Sequence, residues 1–343
     1  SSDVCSSDLG GLLMYRKIMG FLEAWKESEH RKPLILQGAR QVGKTYSILE
    51  FGRTHYENVA YFNFETNPKL NETFEENISP DYLIPILSHI AGQTIVTEKT
   101  LIVFDEVQLC ERALTSLKYF CENAPDYHII VAGSLLGVAV NRAKFSFPVG
   151  KVDMKTLYPM DMEEFMLALG EDDLVEQIKK CFQTDTPLPS ALHDAAMQLY
   201  RQYLVVGGMP ECVMQFAETK DYILVRHTQD TILASYLNDM SKYNNLNEIK
   251  KTRLAYDNIT VQLSKKNTRF QYKLIKKGGR ASEFENAIEW LCLSGIVSQV
   301  YKVEQIKKPL ENYRDIDAFK IYVSDLGLLC AKKDLAANDI LYM

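Results

Sequence analysis

The chain has little that would tie it to disulfide or metal chemistry. Its 343 residues include seven cysteines without a C-x-x-C pair, and its six histidines do not cluster with cysteines or carboxylates at metal-ligand spacing. Cys110, Cys121, Cys181, Cys212, Cys292 and Cys330 stand mostly among apolar neighbours, as small buried hydrophobes do. A disulfide framework and a zinc site of the finger type are therefore excluded. No hydrophobic run approaches a membrane span and no secretory signal opens the chain, so a cytoplasmic protein without a membrane partner is expected. A basic excess is missing too. The net charge of −6 argues against general affinity for nucleic acid and leaves only local patches to consider. Neither a GTPase-type Asn-Lys-x-Asp nor a kinase-type catalytic loop occurs. The remaining composition, 46% apolar and 24% charged, is that of an ordinary globular chain. Its length suits about two domains at roughly 150 residues each.

What the chain does have is Gly38-Ala39-Arg40-Gln41-Val42-Gly43-Lys44-Thr45, a match to G-x-x-x-x-G-K-[ST] at every fixed position. It follows the apolar run Leu34-Ile35-Leu36 and leads into a helical pattern from Tyr46, which is the strand–turn–helix context that gives the pattern its meaning. Glycines let the backbone wrap a phosphate, and the new helix aims its free N–H groups and positive dipole end at it. Lys44 is expected on the β- and γ-phosphates, and Thr45 on Mg²⁺.

Leu101-Ile102-Val103-Phe104-Asp105-Glu106 carries the second signal. Four consecutive apolar residues suit a strand buried on both faces of a parallel sheet, and its C-terminal end is where open α/β sheets place ligands. Asp105 is expected to hold Mg²⁺ through water, and Glu106 to act as general base on the attacking water. His128-Ile129-Ile130-Val131-Ala132-Gly133-Ser134 reads as another buried strand, with Ser134 at its tip as a candidate contact to the γ-phosphate or the water. The plain alternative for Ser134 is a Gly-Ser turn without nucleotide contact. With strands at Leu34–Leu36, within Val59–Phe64, and within Val152–Leu157, the pattern predicts a parallel five-stranded α/β sheet with helices on both faces. The polar segment from Glu65 to Pro80, with Asn67-Pro68, is read as beginning in a loop.

The second half is read as helical: His193–Val206 ending at Gly207-Gly208, a new helix started by Met209-Pro210, and Tyr222–Met240. Helices over 250–263 and 282–293 are followed by strand candidates at 296–301 and 318–323, an arrangement like a winged helix. Lys265–Arg280 carries seven cations and no carboxylate, with Phe270 and Tyr272 interleaved. It would track phosphates and stack on bases if it bound nucleic acid, and is otherwise a solvated face. The domain plan is a P-loop domain over 14–165, a connection over 166–195, a helical lid over 196–245 and a winged-helix-like region over 246–343. Residues 1–13 are set aside, because SSDVCSSDL looks like a translated library adapter.

With these pieces placed, the chain resembles AAA-type ATP-binding proteins that pair an ATPase domain with a DUF4143 region. The resemblance rests on Gly38–Thr45, Phe104-Asp105-Glu106-Val107-Gln108, Ala132-Gly133-Ser134, Leu157-Tyr158-Pro159-Met160 with Glu164-Phe165, and Tyr203–Glu211. It implies ATP and Mg²⁺ as ligands and slow hydrolysis, and ATPases of this superfamily often complete their sites in trans, as an oligomer. The partner, DNA through Lys265–Arg280 or a protein, stays open. Gly150-Lys151 stands where the family commonly has Gly-Arg, which leaves Arg142 and Arg112 as weak candidates for an arginine finger. Family members usually continue into a nuclease-like domain, and with this chain ending at Met343 the expectation is a truncated fragment. The function expected is Mg-dependent ATP hydrolysis that moves the helical and winged-helix half. The alternative is an ATP-dependent binding switch on DNA or a protein, with incidental turnover.

Overall fold

Strands apolar along their whole length have no polar side to turn to water, so both faces must be covered. The structure, a computed structural model, describes residues 14–133, 148, 150–242, 246–265 and 269–342. In it β1 (Leu34–Gln37), β2 (Asn58–Asn63), β3 (Thr100–Asp105), β4 (His128–Ala132) and β5 (Asp153–Thr156) form one parallel sheet in the order β2-β3-β4-β1-β5. Every residue of β3 and β4 is buried. The pleat sends alternate side chains into two cores. Leu34, Leu36, Leu101, Val103, Ile130 and Ala132 face one, and Ile35, Ile102, Phe104, Ile129 and Val131 face the other.

The first face is covered by α1 (Ile18–Lys26) and α2 (Lys44–His55), which bury Leu22, Trp25, Ile48 and Phe51. Against the second pack α3 (Lys69–Glu76), α4 (Pro80–Ala91) and α5 (Glu111–Asn123), with Phe74, Leu87, Leu117 and Phe120. This is the five-stranded α/β sheet with helices on both faces that the sequence predicts. The helix α3 is the part it does not predict. Its polar composition hides Leu70 and Phe74, one turn apart and both buried.

The first core does not stop at the sheet. It runs on through Met160, Phe165, Val206, Phe216, Tyr236, Ile288 and Phe319 into the second half. There α6 (Met162–Ala168) opens on a reciprocal cap, with Asp161 accepting from the Glu164 N–H and Glu164 from the Asp161 N–H. Then come α7 (Asp172–Gln183), inside the expected connection, and α8 (Ser190–Val206), α9 (Pro210–Thr219), α10 (Tyr222–Lys242) and α11 (Leu246–Leu263). A short α12 (Tyr272–Ile275), α13 (Ala281–Leu293), the antiparallel pair β6 (Val297–Val303) and β7 (Arg314–Val323), α14 (Leu326–Lys332) and α15 (Ala337–Leu341) complete the chain. Among the described residues no helix is long and apolar enough to cross a membrane.

The corner between α8 and α9 fixes the second half to the sheet. Gly208 accepts from the Met160 N–H at 2.6 Å and donates to Asp325 Oδ2 at 2.6 Å. A Cβ on Gly208 would lie 1.9 Å from the Met160 carbonyl oxygen, so only glycine fits there. Asp325 is buried and also caps α14 by accepting from the Leu328 N–H. Burial pushes its carboxyl up to about 6, against the pull of the backbone donors of Leu328, Gly208 and Gly327.

Candidate functional site

The turn from β1 into α2 lies at the C-terminal end of the sheet, where β1 runs between its parallel neighbours β4 and β5. The backbone turns on positive φ at Gln41 (64°) and Gly43 (88°). Lys44 opens α2 with its side chain folded back under the turn, and its ammonium donates to the carbonyls of Gly38 at 2.9 Å and Ala39 at 2.7 Å. Burial lowers its pKa to about 8, with Glu106 and Asp105 pulling the other way. A desolvated ammonium gains much from an anionic ligand, which supplies the solvation that burial removed.

Beside it, Thr45 Oγ1 donates to Asp105 Oδ2 at 2.8 Å, a contact between the first turn of α2 and the end of β3. Tyr61, on β2, donates to the same oxygen at 2.7 Å, and the Glu106 N–H donates to Asp105 Oδ1 at 2.9 Å. Burial and the Asp105 charge push the Tyr61 hydroxyl up, so it stays a donor. The Thr45 hydroxyl and the Asp105 carboxylate are hard oxygen donors side by side, the set Mg²⁺ uses when phosphates and water supply its other ligands. Among the described residues no group of three or more His, Cys, Asp or Glu could hold a metal without such help.

Glu106 follows with φ at 52°, a conformation uncommon for a residue with a Cβ and typical of sites where surroundings impose it. Burial raises its carboxyl above the ordinary range, a shift opposed by the Gln108 side-chain amide, which donates to Glu106 Oε2. The amide oxygen of Gln108 is buried without a hydrogen-bond partner.

Two residues at the site carry no signal in the sequence. Arg16, just before α1, is 3% exposed and donates to the carbonyls of Val42 (2.9 Å) and Tyr158 (2.8 Å) and to Glu164 (3.2 Å). Tyr61 reads as an ordinary strand aromatic until the fold puts its hydroxyl on Asp105. Of the other candidates, Ser134 and Arg142 lie outside the described residues. Arg112 is turned away to α3, donating to the Phe74 carbonyl at 2.7 Å. Lys151 pairs with Glu122 at 2.9 Å.

The stretch Lys265–Arg280 requires a correction. Phe270 does not reach solvent to stack on bases; it is 5% exposed, its ring stacks on Phe319 at 5.4 Å, and Tyr272 meets it edge-on. Apolar rings prefer that core to water. Lys273, Lys277 and Arg280 are exposed, while Lys276 pairs with Glu283 at 3.0 Å.

Residues 30–166 match the AAA_14 family model, described as an AAA domain. Residues 197–339 match DUF8612, a domain of unknown function, and not the DUF4143 region of the resemblance. No curated protein matches the chain. Among solved structures it is similar to the Walker-type ATPase PABY2304 of Pyrococcus abyssi, with a TM-score of 0.57 at 13% identity over 94% of this chain and 96% of that one. The ORC2 protein of Aeropyrum pernix, in ADPNP–ADP complexes, aligns at a TM-score of 0.44 and 11% identity over 96% of this chain and 95% of that one. Residues 30–166 carry an AAA-type P-loop NTPase fold.

Proposed function

We propose that the protein binds Mg·ATP in the loop Gly38–Thr45 and hydrolyses it to ADP and phosphate. The observation that carries this reading is the meeting of Thr45, Asp105 and Glu106 beside the buried ammonium of Lys44. Lys44 neutralises the β- and γ-phosphates, and the backbone N–H groups of the loop and of the first turn of α2 bind their oxygens. Thr45 and Asp105 hold Mg²⁺, which when bound offsets charge on the phosphates. Glu106 accepts the proton of the attacking water; its raised pKa brings it closer to the working range of a general base. Gln108 fixes the carboxylate through one amide end, and Tyr61 fixes Asp105. The same reading has the helical half respond to the cycle, with an oligomer supplying an arginine in trans.

Phosphate release from ATP tests it. Release is expected only with Mg²⁺, absent in Lys44→Ala, and rising in specific activity with protein concentration if a neighbouring subunit completes the site. Mg²⁺-independent release, or release undiminished in Lys44→Ala, contradicts the assignment.

One observation favours a second reading, an ATP-dependent binding switch: the loop is touched directly by α10 of the second half. Labelled duplex DNA titrated with and without ATP, using the unaltered protein and Lys276→Glu/Lys277→Glu, decides whether DNA is the partner. No binding at low salt removes DNA from that role.

A further inference from the structure

The turn that contains Arg40 and Gln41 is gripped by the second half of the chain. Arg40 Nη1 donates to Asp239 Oδ1 at 2.8 Å, and Asp239 is 3% exposed. One turn earlier on α10, buried Tyr236 donates its hydroxyl to the Arg40 carbonyl at 3.3 Å, and Ser235 Oγ lies 3.4 Å from Gln41 Oε1. Residues three apart share a helix face, so Tyr236 and Asp239 reach the turn together. From another side Gly295, between α13 and β6, comes so close that a Cβ there would lie 2.8 Å from the Ala39 nitrogen.

A trans peptide is planar, with its C=O and N–H pointing in opposite directions. Anchoring the Arg40 carbonyl on Tyr236 therefore sends the next N–H, that of Gln41, away from α10 and across the turn. Gln41 itself sits at φ 64°, which a residue with a Cβ keeps only when its surroundings hold it. Arg40 also lies within electrostatic reach of Glu106, and it lowers the pKa of Lys44. Burial works against the Arg40 charge, and Asp239, together with Glu106 and Glu65, more than offsets that.

We propose that Tyr236 and Asp239 are positioning residues of the phosphate-binding turn. They act through Arg40, by its guanidinium and by its carbonyl, to set the Arg40–Gln41 peptide. The proposal rests on the reading of Gly38–Thr45 as a phosphate site. It concerns ground-state binding: neither side chain is assigned a contact with the reacting atoms.

The test uses the full chain and the fluorescent analogue mant-ATP with Mg²⁺. Tyr236→Phe keeps the packed ring and removes the hydroxyl; Asp239→Asn keeps the shape and removes the charge. Each is expected to weaken mant-ATP binding and raise KM by about threefold to tenfold, the scale of one hydrogen bond or partly exposed charge pair. The turnover number should stay within about twofold, as for loss of an interaction made equally in the ground and transition states. Asp239→Asn combined with Arg40→Ala should bind no worse than Arg40→Ala alone, because Asp239 acts through Arg40. A mere tether between the halves would lower thermal stability and leave affinity and KM unchanged, and that result overturns the proposal. So does full additivity of the pair. Hydrogen exchange of residues 38–45, measured without nucleotide, separates this proposal from the functional reading beneath it. Faster exchange confined to that segment in both variants, in a protein that fails to bind mant-ATP, retains the grip and removes the nucleotide. Unchanged exchange there removes the grip whatever the nucleotide does.

Discussion

Lys44 and Arg40 leave the same turn in opposite directions and meet surroundings of different kinds. Lys44 folds inward to carbonyls of its own loop, next to the ends of β2 and β3, where Thr45, Tyr61, Asp105 and Glu106 form one hydrogen-bonded group. Arg40 reaches outward to a buried carboxylate on α10, from a segment almost two hundred residues later in the chain. The sheet side offers groups able to take part in chemistry. The helical side offers a salt bridge, a tyrosine hydroxyl and a close-packed glycine, which govern posture. One side sets what the site would do, and the other how the backbone is presented to the ligand.

The comparison breaks first at Lys44. Lys44→Ala removes the ammonium assigned to the phosphates, and Mg·ATP affinity should fall by about 10²-fold or more, the scale of truncating one partner of a buried charge pair. Isothermal titration measures it, and a fall confined to a few-fold would move the phosphate site away from this lysine.

On the helical side the largest effect should come from Gly208→Ala. The added Cβ has to displace the Met160 carbonyl, and overpacking of that kind costs about 3 kcal/mol. A thermal melt should show a lower Tm, accompanied by loss of nucleotide affinity because α9 and α10 shift with the corner. An unchanged Tm would mean that the corner yields.

Acid should affect the two sides with opposite sign. Buried His128, at the start of β4, has its pKa lowered to about 4 by burial, with Arg31 and Lys26 adding to the shift. The unfolded chain takes up this proton near pH 6.5, before the folded one does, so its contribution is complete above that pH. It is lost as pH falls towards 4, a change of about 3 kcal/mol. Asp325, raised to about 6, works in reverse: the folded chain takes up its proton first, and stability rises as pH falls from 6 towards 4 by a similar amount. Urea denaturation at pH 7 and pH 5 should therefore show Asp325→Asn losing stability with acid more steeply than the unaltered protein. His128→Gln should lose it less steeply. Parallel slopes for all three would contradict both assignments.

Tyr61→Phe is the mildest test. It removes one of three donors to Asp105 while keeping the ring, and turnover should fall about threefold to tenfold, the net worth of one hydrogen bond.

Much of the sheet was legible because its signals are local. Unbroken apolar runs name buried strands, and a Gly-rich turn between strand and helix needs no distant partner. The residues missed act at long range. Arg16 reaches Glu164, Tyr61 reaches Asp105, and Tyr236 and Asp239 reach Arg40, pairings that no periodicity announces. Phe270 shows the same limit from the other side. Among cations it reads as a base-stacking ring, and the partner that buries it, Phe319, lies in a strand far along the chain. The helix α3 was hidden by its own polar surface.

Turnover of ATP by the unaltered protein and by Glu106→Gln, each with mant-ATP affinity measured alongside, bears most directly on the central claim. The account predicts that Glu106→Gln keeps its affinity within about threefold while the turnover number drops by about 10²-fold or more, the usual contribution of a general base. Equal turnover in the two proteins would contradict it, and would leave the loop as a binding site whose chemistry, if any, lies elsewhere.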